Sequence, residues 1–213
     1  MKILVTGFDP FGGEKINPAF EVIKRLKSHI DGAEIIKLQV PTAFNASVEK
    51  TVEKIKEVKP DVVLNIGQAG GRPDITVERI GININDAKIP DNLNQHPIDT
   101  KIDEEGENAY FATIPIKAII AGIREKGIPA SVSNTAGTYV CNHLMYGTLN
   151  YIYKNNLNIK AGFIHIPFLH EQVVNKSNTP SMSLGTMVEA IETALSVIVN
   201  TEKAAKISGG KEL

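Results

Sequence analysis

The sequence has little cysteine, little net charge and no long apolar run, and each shortage excludes a class of protein. Its 213 residues include one cysteine, so no disulfide can form within the chain, which is typical of a reducing compartment. The net charge of −1 gives no reason to expect a nucleic acid or an anionic membrane as a partner. The first apolar run, Ile3–Val5, is far too short for a signal peptide or a membrane span. We therefore expect a cytoplasmic protein.

Sequence motifs for common cofactors and metals are also missing. The glycines of the first loop, Gly7, Gly12 and Gly13, fit neither the dinucleotide fingerprint nor the P-loop. No cysteine pair is present, and the histidines lack the spacing of the HExxH motif. The absence of GxSxG argues against a serine hydrolase of the α/β-hydrolase type. We expect no metal and no cofactor.

Strand and helix patterns alternate along the whole chain. This order predicts a single-domain α/β/α sandwich with a largely parallel twisted sheet over residues 1–213, ending in a frayed tail at 208–213. Strands are predicted over 3–6, 34–40, 61–66, 75–85, 128–132 and 160–168. Helices are predicted over 18–30, 42–58, 110–125, 140–152 and 181–199, the first with Asn17 as N-cap and Pro18 at its first position.

The single cysteine, Cys141, lies where a strand passes into a helix. Asn134, Thr135 and Gly137 are turn and cap residues before it, and apolar residues at helical spacing follow it. Cys141 is therefore expected in the first turn of a helix, where free backbone N–H groups and the helix dipole favour a thiolate and stabilise an oxyanion. The alternative is an inert buried cysteine.

Two further residues are candidates for catalysis. His165 lies near the carboxyl end of a late apolar strand, where α/β enzymes place functional groups, although such a histidine is often only a core residue. Alternation over 75–85 places Glu78 on an apolar face, where a carboxylate needs a partner. That partner is either a structural ion pair or a histidine that Glu78 orients.

A thiol hydrolase needs a nucleophile, a base and a group that fixes the tautomer of the base, and Cys141, His165 and Glu78 supply that set. His170 is a rival base. His143, two residues beyond Cys141, faces elsewhere on a helix. His29, on a predicted surface helix, and His96, in a polar loop, are weak candidates. From spacing alone, a non-catalytic domain that binds a small molecule stays open as an alternative.

Five ordered groups of segments are distinctive: 7–12 with Asn17-Pro18, 67–72, Glu78-Arg79 with 86–92, 133–142 and 162–167. In these segments the sequence resembles the pyroglutamyl peptidase I family, also called pyrrolidone carboxyl peptidase. The resemblance covers nearly the whole chain.

The resemblance implies a cysteine omega-peptidase that removes an N-terminal pyroglutamyl residue from peptides through a thioester. It assigns the nucleophile to Cys141, the base to His165 and the orienting acid to Glu78. It also implies a homotetramer in the cytosol. The substrate-binding residues that it implies are Phe8, Phe11, Thr42, Gln68, Lys88, Ile89, Tyr139 and Val140.

Two positions depart from the family pattern. The family usually has arginine where this chain has Lys88, and that arginine is associated with the oxyanion; lysine keeps the charge but loses the planar fork. Tyr139 stands where phenylalanine is common, and its hydroxyl needs a partner if it is buried.

Overall fold

A computed structural model describes residues 1–201 of the chain as an α/β structure. The strands are β1 Lys2–Phe8, β2 His29–Ile30, β3 Ala33–Val40, β4 Val62–Gln68, β5 Ile75–Glu78, β6 Ile80–Ile82, β7 Ala109–Phe111, β8 Ala130–Ser133, β9 Lys160–Ile166, β10 Phe168–Leu169 and β11 Ser181–Met182. The helices are α1 Pro18–Arg25, α2 Ala46–Val58, α3 Ile116–Glu125, α4 Val140–Lys154 and α5 Leu184–Asn200.

The central sheet has seven strands in the order β2-β3-β1-β4-β9-β5-β8. Strands β3, β1, β4 and β9 run parallel to one another. Strand β5 is antiparallel to β9 and parallel to β8, and β2 is antiparallel to β3. The predicted largely parallel sheet is thus confirmed, with a reversed pair of strands at one side.

Helices cover both faces of this sheet. Apolar residues of α1, α3 and α5 form one core with alternate residues of the strands, such as Val5, Leu64 and Ile164. Residues of α2 and α4 form the second core with the opposite faces of the same strands, including Leu4 and Phe163. This is the predicted α/β/α sandwich. None of the helices in residues 1–201 is long and apolar enough to cross a bilayer.

The first helix shows both what local sequence determines and where it fails. The Asn17 side chain accepts a hydrogen bond from the Ala19 N–H at 3.0 Å, and Pro18 occupies the first helical position, as predicted. The helix ends at Arg25, however, so Ile30 is not part of it. His29 and Ile30 instead form β2, which adds to the sheet edge, and His29 is an exposed strand residue.

Other predicted boundaries were also wrong, including the start of the last helix, which begins at Leu184 because Ser181 and Met182 form β11. Helix α2 starts at Ala46, because the preceding Asn45 has a positive φ of 60°, which no right-handed helix contains. The extended segment 75–85 breaks at Arg79, and β6 pairs with β7 in a separate sheet. Residues 109–111 therefore form a strand rather than the start of α3. The expected frayed tail, 208–213, lies outside the described residues, and the single-domain boundary at 1–213 stays a prediction.

Candidate active site

The candidate catalytic residues meet on the face of the sheet that α2 and α4 cover. Side chains alternate along a strand, so residues on either side of Ile66, Ile164 and Val77, which belong to the other core, point to this face. Gly67 of β4 and His165 of β9 are direct neighbours in the parallel register. The face carries four positions that matter below: Gly67, Thr76, Glu78 and His165.

His165 and Glu78 form a buried hydrogen-bonded pair. Glu78 lies opposite Phe163 in the antiparallel register, so His165 is its diagonal neighbour on the same face. The His165 Nδ1–H donates to Glu78 Oε1 at 2.7 Å, and the exposed fractions of the two residues are 3% and 0%. Because Nδ1 carries the proton in this bond, the Nε2 atom of the neutral ring is the proton acceptor.

Cys141 is the second residue of α4, in the first turn as predicted, and is partly accessible. Its sulfur lies directly over Gly67, since a Cβ added to that glycine would be 3.0 Å from Sγ. The same Cβ would be 2.7 Å from Cζ of Phe163, whose ring centroid is 4.7 Å from that of His165. The sulfur and the imidazole therefore occupy neighbouring positions on one face of the sheet.

The electrostatics of Cys141 differ from the sequence-based expectation. Burial of the sulfur, and then the charge of Glu78, raise the pKa of the Cys141 thiol to about 12, and the Arg72 guanidinium opposes this only in part. Burial also lowers the pKa of His165, against the hydrogen bond and the charge of Glu78. Both shifts favour the neutral thiol and the neutral imidazole, against the expected thiolate.

Glu78 is the charged member of the group. Burial by itself favours the protonated carboxyl. The hydrogen bond from His165 and the charge of its ring when protonated, with smaller contributions from Ser133 and Arg72, outweigh burial and lower the pKa of Glu78. The Arg72 guanidinium donates to the same Oε1 atom at 2.6 Å. The partner that the sequence analysis required for a buried carboxylate is therefore both a histidine and an arginine.

The start of α4 offers backbone donors beside the sulfur. The first N–H that bonds within the helix is that of His143, which donates to the Tyr139 carbonyl at 3.1 Å. The N-cap residue Tyr139 makes no side-chain cap, so the N–H groups of residues 140–142 have no partner within the helix. These donors and the positive end of the helix dipole suit an oxyanion formed at Cys141.

Aromatic rings surround this helix start. Phe8 is buried with its ring centroid 6.4 Å from that of Phe163. The Tyr139 ring lies 6.3 Å from Phe11 and 5.4 Å from Phe44, the latter edge-on. The Tyr139 hydroxyl donates to the Pro90 carbonyl at 3.0 Å, which supplies the partner that this residue needs.

The other predicted substrate-binding residues lie either in the wall of the candidate site or at its exposed rim. Thr42 is held by Asp9, whose carboxylate accepts from the Thr42 N–H at 2.6 Å, and Val140 is fully buried. Lys88 and Ile89 are exposed on the loop that Tyr139 anchors through its hydroxyl.

The Gln68 side chain alternates to the other face of the sheet from Gly67. There its Oε1 accepts from Gln172 Nε2 at 3.0 Å. The Gln68 amide therefore lies on the face of the sheet away from the cysteine.

The sequence analysis did not single out two residues that are important for this geometry. Asn142 is fully buried and pairs with the backbone of β6, donating to the Ile82 carbonyl at 2.8 Å and accepting from the Ile82 N–H at 3.0 Å. Asp91 accepts from the N–H groups of Phe44, Leu93 and Gln95, each at 2.8 Å. The available signal was their place in the resembling segments 86–92 and 133–142.

The remaining histidines lie apart from the Glu78 carboxylate. His170 is exposed, and its Nδ1 pairs with the Ser181 hydroxyl at 2.8 Å. Both ring nitrogens of His143 have partners, Nδ1 with Asn85 Oδ1 and Nε2 with the Asn45 N–H, each at 2.9 Å. His96 bonds the Ala87 carbonyl at 2.8 Å. Within residues 1–201, no three potential metal ligands are grouped as a site.

Comparison with known proteins identifies the family of this chain. A family model of pyroglutamyl peptidase matches residues 1–201. The chain belongs to the pyroglutamyl peptidase family. Pyrrolidone-carboxylate peptidase 2 of Caldanaerobacter subterraneus subsp. tengcongensis is 71% identical over 206 residues, covering 97% of this chain and 100% of that protein. Pyrrolidone-carboxylate peptidase of Clostridium perfringens is 55% identical over 210 residues, covering 99% of each chain.

Solved structures of the pyroglutamyl peptidase family share the fold. The crystal structure of pyroglutamyl peptidase I from Bacillus amyloliquefaciens has a TM-score of 0.94 at 45% identity, covering 97% of this chain and 99% of that one. Pyrrolidone carboxyl peptidase from Thermococcus litoralis has a TM-score of 0.90 at 42% identity, covering 93% of each chain. The resemblance in sequence is thus confirmed, and with it the α/β fold and a cysteine peptidase of the pyroglutamyl-peptidase I type.

Proposed function

We propose that this pyroglutamyl peptidase hydrolyses the amide bond after an N-terminal pyroglutamyl residue, with Cys141 as nucleophile, His165 as base and Glu78 as the acid that orients it. The observation that carries the proposal is the convergence of the three side chains on one face of the sheet. The sulfur lies over Gly67, the strand neighbour of His165, whose other ring nitrogen is bound to Glu78 at 2.7 Å.

The first half of the reaction forms a thioester. As Sγ of Cys141 bonds to the carbonyl carbon of the pyroglutamyl residue, its proton passes to Nε2 of His165. Glu78 stabilises the resulting imidazolium through Nδ1. The oxyanion is stabilised by the N–H groups of residues 140–142, and Lys88 adds a positive charge from the rim. The C–N bond then breaks, and the imidazolium returns its proton to the leaving amine.

The second half regenerates the enzyme. A water molecule attacks the thioester carbon and gives its proton to Nε2 of His165, which is again neutral. The C–S bond breaks, free pyroglutamate forms, and the sulfur takes the proton back from the imidazolium. A neutral resting thiol suits this scheme, because each proton that the sulfur or the water loses has His165 as its acceptor.

Specificity follows from the chemistry of the pyroglutamyl ring. The ring is a flat neutral lactam with no α-ammonium group, so a site that binds it needs apolar walls and few charges. Phe8, Phe11, Thr42, Tyr139 and Val140 supply a largely apolar wall, and the ring can lie between the two phenylalanines. Backbone groups near Gln68 pair with the lactam N–H and C=O, while Ile89 closes the rim. Analogues without those polar groups would leave the backbone unpaired and are excluded.

We also propose that the chain assembles as a homotetramer in the cytoplasm. The family resemblance suggests the tetramer, and a single free cysteine suits a reducing compartment. Light scattering on the purified full chain would measure the mass of the assembly.

The function is tested with a chromogenic pyroglutamyl anilide. Wild-type enzyme should release the chromophore, while Cys141→Ser and His165→Ala should each lower kcat by roughly 10³-fold or more. His170→Ala is the matched control, because its ring bonds Ser181 and not the acid, and it should keep wild-type turnover. Near wild-type turnover by Cys141→Ser would refute the assignment of the nucleophile. Loss of activity in His170→Ala with retention in His165→Ala would exchange the two histidines.

A further inference from the structure

Arg72 binds the catalytic acid from the loop that follows β4. One guanidinium nitrogen donates to Oε1 of Glu78 and to the hydroxyl of Thr76, both at 2.6 Å. Thr76 lies opposite His165 in the sheet, and Glu78 is the diagonal neighbour of that histidine. The guanidinium thus bridges the two residues of β5 whose side chains border the imidazole.

The second terminal nitrogen of Arg72 reaches a different segment. It donates to the Thr135 carbonyl at 3.0 Å, in the loop that joins β8 to the helix of Cys141. At the end of β8, the Ser133 hydroxyl donates to the same Thr135 carbonyl at 3.0 Å and lies 3.4 Å from the guanidinium. One side chain therefore connects the strand of the acid to the segment that leads to the nucleophile.

We infer that Arg72 is a positioning residue of this peptidase, one that fixes Oε1 of Glu78 against His165 and ties the acid to the loop before Cys141. The inference rests on the proposed roles of those three residues. Arg72 does not contact the reacting atoms; it acts through Glu78. A planar guanidinium is suited to this task, because its two ends can bond separate acceptors in a fixed geometry, which a lysine cannot do.

The charge of Arg72 has a second effect, on the pH dependence of the reaction. The titratable or charged groups around Glu78 are Arg72 from the loop, His165 from β9 and Cys141 from α4. Burial and the contact between Glu78 and His165 have the larger effects on their pKa values. Arg72 adds to these: its hydrogen bond lowers the pKa of Glu78, and its charge lowers the pKa of His165. Without Arg72, the pKa values of Glu78 and His165 both rise. On acidification, His165 then becomes protonated at a higher pH, and Glu78 also loses its negative charge at a higher pH. The acid limb of the kcat/KM profile should then move to higher pH.

The experiment compares variants of the full-length enzyme on the chromogenic pyroglutamyl anilide. Arg72→Met should lower kcat roughly 10- to 100-fold, as expected for the loss of a hydrogen bond to a charged group, with little change in KM. Its acid limb should lie at higher pH than that of the wild type, and millimolar methylguanidinium should restore part of kcat. Arg124→Met is the matched control, since Arg124 donates to the Ala130 carbonyl at the other end of β8; its kcat and profile should match the wild type.

The outcomes separate this inference from the proposed function. Absence of wild-type turnover would refute the function itself. Wild-type turnover combined with an Arg72→Met enzyme of unchanged kcat or unchanged acid limb would overturn the role of Arg72. If Arg72→Met does not fold, Arg72→Lys decides. That variant keeps the charge and loses the fork, so kcat should fall about tenfold while the acid limb stays in place. Wild-type kcat in Arg72→Lys would overturn the inference.

Discussion

Replacement of His143 by glutamine should remove a specific source of acid sensitivity from the folded protein. His143 is 2% exposed. Its Nδ1–H donates to Asn85 Oδ1 at 2.9 Å, and its Nε2 accepts from the Asn45 N–H at 2.9 Å. Protonation would place a second proton on Nε2, directly facing the N–H of Asn45. The native structure therefore holds this histidine neutral.

The magnitude follows from the pKa of His143. Burial, opposed only by the charge of Asp91, lowers that pKa from 6.5 to about 4. The unfolded chain thus binds this proton at a higher pH than the folded chain does, so the free energy of unfolding falls as the pH drops. The contribution is complete above 6.5 and is lost as the pH falls to about 4. At about 1.36 kcal/mol per pH unit, the loss between about pH 7 and about pH 4 is about 3 kcal/mol.

The assay is denaturant unfolding of wild type and His143→Gln at about pH 7 and about pH 4, with the free energy of unfolding extrapolated to water. Other titrating groups, including Glu78 and His165, contribute equally to both proteins, so the difference between the two pH dependences isolates His143. The wild type should lose about 3 kcal/mol more than His143→Gln. His29→Gln, at an exposed strand residue, is the matched control.

The result that would refute this reasoning is a parallel pair of pH dependences. If wild type and His143→Gln lose the same free energy on acidification, the buried ring is not held neutral by its two asparagine partners. A control variant His29→Gln that departs from the wild type by a similar amount would show that the effect is general to histidine removal and unrelated to burial.

Two further predictions concern turnover of the pyroglutamyl anilide. Gly67→Ala places a Cβ 2.7 Å from Phe163 and 3.0 Å from Sγ of Cys141, so kcat should fall by about 10²-fold through displacement of the sulfur. Gly185→Ala, whose Cβ meets only the Ser183 hydroxyl at 3.9 Å, is its control, and equal kcat in both would contradict the steric argument. Lys88→Met should lower kcat by about tenfold with KM unchanged if the ammonium assists the oxyanion; unchanged kcat would leave the backbone donors alone in that role.

Local sequence predicted the features that depend on nearby residues. The start of α1 depends on Asn17 and Pro18, and the helical position of Cys141 depends on the turn residues before it and the apolar spacing after it. His165 was found because a histidine interrupts an otherwise apolar buried strand. Each of these signals lies within about one element of the residue concerned.

Features that depend on distant segments were not predictable in the same way. Nothing in residues 75–78 shows that β5 lies between β9 and β8, antiparallel to the first and parallel to the second, yet its register with β9 makes Glu78 the diagonal neighbour of His165. The resting charge of Cys141 was predicted from the helix dipole, which is local, whereas burial and the Glu78 carboxylate decide it. Arg72 bonds to Thr135, which is 63 positions away in the sequence, and such a contact produces no periodic pattern of residues in the sequence.

The diagonal pairing of Glu78 with His165 across β5 and β9 has a mechanical consequence. His165 and Glu78 both lie on strands of the central sheet, whereas Cys141 lies on helix α4. Thermal motion should therefore change the distance between Glu78 and His165 little. It should change the distance between the Cys141 sulfur and the imidazole more. Turnover should accordingly be most sensitive to changes that tilt or shift helix α4 as a whole relative to the sheet.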